Sequence, residues 1–153
     1  CELAQQHLVA ENTTVKRLRD RLERGILGSV RNAFVNGDTL YRLPNTASIA
    51  FEYVEGEGIL LLLNQLGIAA SSGSACTSGS LEPSHVMRAM AIPYTAAHGT
   101  IRFSLSRYNT EEEVDRVIAA VPPVIAKLRK LSPYWSGDGP AANPEQAFQP
   151  EYA

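Results

Sequence analysis

Leu8, Val15, Leu18, Leu22 and Ile26 recur near helical spacing, while Lys16, Arg17, Arg19, Asp20 and Arg21 occupy the remaining faces. That arrangement predicts a long amphipathic helix ending about Gly25 to Gly28. Ala33 to Val35 reads as a short strand before the turn residues Asn36-Gly37-Asp38. Pro44 and Asn45 open the next element. Ile49, Phe51 and Tyr53 then alternate with Ser48, Ala50 and Glu52, the mark of a half-buried strand. Glu55-Gly56-Glu57-Gly58 turns into a helix over Ile59 to Leu66, whose apolar residues cover most faces and predict burial. Gly67 stands where a left-handed C-cap is expected. Ile68 to Ala70 reads as a short strand leading into a run of Ser and Gly. Pro83 suits the first turn of a helix reaching about Met90, with Glu82 near its positive end.

Thr100 to Ser106 alternates cleanly, with Ile101, Phe103 and Leu105 on one side and Arg102, Ser104 and Ser106 on the other. Thr110-Glu111-Glu112-Glu113 is a capping box, opening a helix that carries Val114, Val117, Ile118, Val121, Ile125 and Leu128. Pro122-Pro123 within that helix is expected to kink it or split it in two. From Ser132 onward Pro and Gly recur and periodicity is lost, so residues 132–153 are expected to form a flexible C-terminal tail. Residues 1–131 then make one domain. Helices interleave with a few short strands, and strand alternation implies a sheet with one exposed face. The fold class is α/β: a small sheet of short, mainly antiparallel strands with helices packed on one face.

A formal net charge of −2 gives no electrostatic footprint for nucleic acid or membrane. The longest apolar run, Ile59 to Leu63, is too short to span a bilayer. The polar, helical N-terminus does not read as a signal peptide. Two cysteines do not make a disulfide framework. Together these point to a reduced, cytoplasmic protein. Cys1 leads straight into helical text without Met or a capping residue, so residues 1–153 are expected to be a piece of a longer protein.

The most telling stretch is Ser71-Ser72-Gly73-Ser74-Ala75-Cys76-Thr77-Ser78-Gly79-Ser80. A structural cysteine is usually walled in by apolar side chains. Cys76 has no bulky neighbour and sits between glycines that leave the backbone pliable. It reads as a nucleophile on a mobile tether, against the alternative of a loop cysteine without a role. Arg102 lies on the polar face of a short strand, where its planar fork could hold a carboxylate bidentately. Its alternative is a surface arginine, solvated or paired with a glutamate. His7, His85 and His98 share no metal-binding spacing with Cys76, so no metal site is expected. His98 reads as a solvated loop residue, with proton carrier as the sharper alternative. Arg88 and Arg107 read as solvated.

Taken together, the Ser-Ser-Gly-Ser-Ala-Cys-Thr-Ser string at 71–78, Leu81-Glu82-Pro83-Ser84-His85-Val86, and Ile101-Arg102-Phe103-Ser104-Leu105-Ser106 with Thr110-Glu111-Glu112-Glu113 resemble the C-terminal part of cysteine desulfurases of the NifS and IscS group. Pro44-Asn45, Phe51 and Tyr53-Val54-Glu55-Gly56-Glu57 extend the likeness, which covers about residues 1 to 135 in order. Ser132-Pro133-Tyr134-Trp135 and the divergent tail lean towards the nitrogen-fixation branch. The resemblance implies the C-terminal small domain of a fold-type I pyridoxal-phosphate enzyme, starting in the interdomain helix. It implies removal of sulfur from L-cysteine, leaving L-alanine and a persulfide on Cys76. Arg102 matches the residue that holds the substrate carboxylate. A homodimer, an iron–sulfur scaffold protein of the NifU or IscU type as sulfur acceptor, and a transient iron–sulfur contact through Cys76 are implied in the same way. The supply of sulfur would serve iron–sulfur clusters, those of nitrogenase in particular.

The family's pattern is broken in one place. Its cofactor forms a Schiff base on a lysine of a larger N-terminal domain, whereas the lysines here are Lys16, Lys127 and Lys130, all on helical, solvated faces. Pyridoxal phosphate is therefore expected to be bound by the missing N-terminal domain, and the isolated chain is expected to be inactive. The competing reading is a non-enzymatic sulfur-carrier or scaffold-binding module of the same fold. A thiol redox protein is disfavoured because Cys76 has no resolving partner and no Cys-x-x-Cys spacing.

Overall fold

A computed structural model describes residues 1–72 and 84–141. The first helical run is continuous from α1 (Glu2–Ala10) through a π-helical turn at Glu11–Val15 into α2 (Lys16–Ser29). In the π turn, the Asn12 and Thr13 side chains donate to the Leu8 and Val9 carbonyls at 2.9 and 2.7 Å. The apolar stripe is buried only from Val15 onward, through Leu18, Leu22 and Ile26. Leu8 does not belong to it: 58% of its surface is exposed, and α1 buries no residue. The helix overruns the body that its second half packs on. Arg19, expected on a solvated face, is 2% exposed, with Nε donating to Asp20 and a terminal nitrogen donating to the Leu43 carbonyl.

Four strands form an antiparallel sheet in the order β1-β2-β4-β3: β1 (Ala33–Val35), β2 (Thr46–Phe51), β3 (Ser71–Ser72) and β4 (Thr100–Ser104). The strand expected at 68–70 thus lies just downstream, and Ile68 instead anchors the core at 8% exposure. Ala47, Ile49 and Phe51 of β2 and Ile101 and Phe103 of β4 share one face, which α2, α3 (Gly56–Gln65) and α6 (Glu111–Leu131) cover. The expected architecture, helices on one face of a small antiparallel sheet, is what the chain adopts. Ile59 and Leu63 of α3 are buried, but Leu61 is 61% exposed. Apolar residues on most faces predict burial of the helix, but α3 packs on α6 and the sheet with its Leu61 side left exposed. Gly67 closes α3 with φ +71, in the left-handed region anticipated for it.

Pro122-Pro123 does not divide α6, which runs unbroken for 21 residues. Each proline removes an N–H and crowds a carbonyl one turn back, at about 3 kcal/mol. Burial of Val121, Val124 and Ile125 around them opposes that cost. The capping box is present as read: Thr110 Oγ1 accepts from the Glu113 N–H, and the Glu113 carboxylate accepts from the Thr110 N–H. Short helices α4 (His85–Ala89) and α5 (Tyr94–Ala97) precede β4, and Ser84 caps α4 by accepting from the Val86 N–H. Pro83 and Glu82, read as the start of that helix, lie outside the described residues.

Part of the expected tail has structure. β5 (Trp135–Ser136) pairs with β6 (Gly139–Pro140), and Trp135 packs against Tyr53 at 5.9 Å between ring centroids. The Arg129 guanidinium sits 4.1 Å from the Trp135 ring centroid and donates to the Asn32 and Glu52 carbonyls. Aromatic and cation–π contacts thus take the place of periodicity. Residues 142–153 lie outside the described residues.

Gly99 is where α5, β2 and the turn after β2 meet. A Cβ there would stand 2.0 Å from the Phe51 carbonyl oxygen and 2.8 Å from that of Val54. Both are backbone atoms that cannot swing aside. Gly99→Ala is expected to destabilise the chain by about 3 kcal/mol, the upper end of ordinary overpacking. A urea midpoint equal to that of the unsubstituted chain would refute this reading.

Candidate functional site: the open face of the sheet

Alternation along β4 puts Ile101 and Phe103 into the core and Arg102 on the opposite face. The strand is interior to the sheet, so the Arg102 backbone is held from both sides: Ser48 lies opposite on β2 and Ser71 opposite on β3. Residues opposite one another in antiparallel strands point to the same face. The β1–β2 pairing continues one step past Val35, where the Asn36 N–H donates to the Ser48 carbonyl at 2.8 Å. A polar row, Asn36–Ser48–Arg102–Ser71, therefore crosses the open face. The Arg102 side chain is exposed and makes no hydrogen bond or ion pair among the described residues, so of the two expected alternatives it is not glutamate-paired, while its exposure is that of a solvated arginine.

Asn36 is tied down next to it. Its Nδ2 donates to Ser48 Oγ at 3.3 Å and to Thr100 Oγ1 at 3.2 Å, and Thr100 Oγ1 donates to the Ala96 carbonyl at 3.2 Å. Asn36 and Thr100 are 8% and 3% exposed. Sequence reading took Asn36 for a turn residue only. The signal available was a side chain that both precedes a glycine and continues an apolar strand. At the far end of the row, Ser71 Oγ donates to the Ser72 carbonyl at 2.9 Å.

Cys76, the expected nucleophile, lies in residues 73–83, outside the described residues. Ser72, the last described residue before it, ends β3 and pairs with Ile101 of β4.

His98 departs from the solvated-loop expectation. Its side chain is 17% exposed and packs edge-on against Tyr94 at 4.5 Å between ring centroids, with Nδ1 3.9 Å from a Glu55 carboxylate oxygen. The Gly56 N–H donates to the His98 carbonyl, which pulls the residue in against α3. His85 is exposed on α4, and His7 is half-buried on α1. Arg107 is half-buried, with its guanidinium 4.5 Å from the Tyr108 ring centroid, rather than solvated. Among the described residues, no group of His, Cys, Asp and Glu could hold a metal ion.

The lysines do not suit a Schiff base. Lys16, Lys127 and Lys130 are exposed on α2 and α6, the helices covering the sheet's core face, and none lies on the polar row. The chain's own residues therefore do not fit the aldehyde end of pyridoxal phosphate. No described helix is long and apolar enough to cross a membrane.

Comparison with known proteins identifies relatives of this arrangement. A cysteine desulfurase of Azotobacter chroococcum mcd 1 is 75% identical over 142 residues, covering 93% of this chain and 36% of the relative. The cysteine desulfurase NifS of Azotobacter vinelandii is 72% identical over 151 residues, covering 99% of the chain and 38% of that protein. Among solved structures, a NifS-like protein superposes with a TM-score of 0.70 at 31% identity, covering 83% of this chain and 31% of that one. The chain thus spans little more than a third of the length of the curated relatives it matches. Residues 3–117 match the family model for class-V aminotransferases, a span that takes in α2, the whole four-stranded sheet and Arg102. On that match the chain belongs to the class-V aminotransferase family.

Proposed function

We propose that this chain is the C-terminal part of a cysteine desulfurase of the NifS type, which lifts sulfur from L-cysteine and leaves L-alanine. The observation that supports it most directly is 72% identity to NifS across 99% of the chain. Arg102, on an interior strand with its guanidinium unengaged among the described residues, is suited to clamp the substrate carboxylate. Cys76 is the nucleophile: its thiolate attacks the substrate sulfur, a sulfur–sulfur bond forms, and the carbon–sulfur bond breaks. The persulfide sulfur then passes to an iron–sulfur scaffold protein in the cytoplasm, for clusters of nitrogenase. The full-length enzyme is a homodimer. Pyridoxal phosphate belongs to residues N-terminal to this chain, because no lysine here fits it.

Sulfide release from L-cysteine, with added pyridoxal phosphate and a thiol reductant, tests the division of labour. The chain alone is expected to release no more than its Cys76→Ala variant. The full-length enzyme is expected to release sulfide readily. Cys76-dependent release by the chain alone would mean that a group within it anchors the cofactor.

A further inference from the structure

We infer that the Ser48 hydroxyl is a second donor to the substrate carboxylate, oriented for that role by the Asn36 amide; the inference rests on the proposed role of Arg102.

The argument follows the protons. Thr100 has one hydroxyl proton, and it goes to the Ala96 carbonyl. Towards Asn36, Thr100 can then only accept, so the Asn36 atom facing it is the amide nitrogen and not the oxygen. The second hydrogen of that nitrogen goes to Ser48 Oγ. Ser48 therefore accepts from the sheet side and keeps its own proton. That proton is given to nothing among the described residues. Arg102, directly opposite on β4, is a donor only and cannot take it. Their Cβ atoms are about 5 Å apart by the geometry of antiparallel pairs.

Two unspent donors thus sit side by side on the open face, one a charged fork and one a neutral hydroxyl. Among the described residues no carboxylate lies in the row: its members are Asn36, Ser48, Arg102 and Ser71. Ser71 has committed its proton to the Ser72 carbonyl. The group that completes such a pair carries negative charge and more than one acceptor oxygen, which describes the α-carboxylate of an amino acid. Burial of Asn36 at 8% exposure and of Thr100 at 3% keeps water from reversing the order of donors and acceptors.

The test uses the full-length, cofactor-loaded enzyme. Ser48→Ala is expected to raise KM for L-cysteine about tenfold, the worth of a hydrogen bond to a charged group, with kcat changed less than twofold. The inhibition constant of L-alanine should rise by the same factor. That of ethylamine, which is alanine without its carboxylate, should stay where it is. Ser48→Thr, which keeps the hydroxyl on a strand, should restore KM. If Ser48→Ala leaves KM unchanged while Arg102→Ala raises it, the inference is overturned and the proposed function stands. If Arg102→Ala also leaves KM unchanged, the carboxylate clamp itself is wrong. An equal rise for ethylamine would mean that Ser48 acts on the sheet and not on the carboxylate, which also overturns the inference.

Discussion

Cys76→Ala in the full-length enzyme is expected to reduce sulfide release from L-cysteine to the uncatalysed background while the absorbance of the bound cofactor stays unchanged. The expectation rests on a division of roles. The thiolate is the group that accepts the sulfur, and no other cysteine stands near it in sequence; Cys1 is 75 residues away at the exposed start of α1. Removing the sulfur atom removes the step, since no neighbouring side chain of the Ser-Gly run can hold a persulfide. Cys76→Ser sharpens the test. Serine preserves size and hydrogen bonding but is scarcely ionised at neutral pH, so it should be as inactive as alanine. Labelled sulfur retained on the protein after a single turnover should vanish in both variants. Normal transfer by Cys76→Ser would remove Cys76 from the mechanism and leave it a loop residue.

Arg102→Ala should raise KM for L-cysteine by one to two orders of magnitude and move kcat far less. A charge-assisted bidentate contact is worth about 1.5–3 kcal/mol, which converts to roughly 10- to 150-fold. The carboxylate keeps its charge throughout and takes no part in the bond that breaks, so its clamp binds ground and transition states alike, and the loss appears in KM. Folding is not at risk, because the side chain is exposed and unpaired among the described residues. Arg102→Lys separates charge from shape: a point charge retains part of the attraction but not the fork, so its KM should fall between the two. Identical kinetics for Arg102→Ala and the parent would return Arg102 to the ordinary surface.

The order of elements was largely legible in the sequence because each has a local cause. The 3.6-residue stripe of α2, the alternation of β2 and β4, the Thr110 capping box and the left-handed Gly67 all act within a few residues. Arg102 could be placed on the polar side of its strand for the same reason, since side-chain direction along a strand has a period of two. The readings that failed needed neighbours. Leu8 repeats at the right spacing but stays exposed among the described residues, and Leu61 is exposed although α3 packs on α6 and the sheet. Of the kink or split expected at Pro122-Pro123, the split does not occur, because the buried residues around it hold α6 together. Trp135 lies in text without periodicity and is ordered by Arg129 and Tyr53, distant in sequence.

Sequence alone determined which elements form, that the sheet keeps one polar face, and which residue types on it carry chemistry. Tertiary structure decided which of those residues stand together. The row from Asn36 to Ser71 draws on four strands or strand ends separated by up to 66 residues between Asn36 and Arg102, and it exists only through strand register. Register follows from which apolar residues meet in the core: Ile49 against Ile101 and Ala47 against Phe103 set Ser48 against Arg102 on the other side. A slip of one residue would leave every local pattern intact and take the hydroxyl away from the guanidinium.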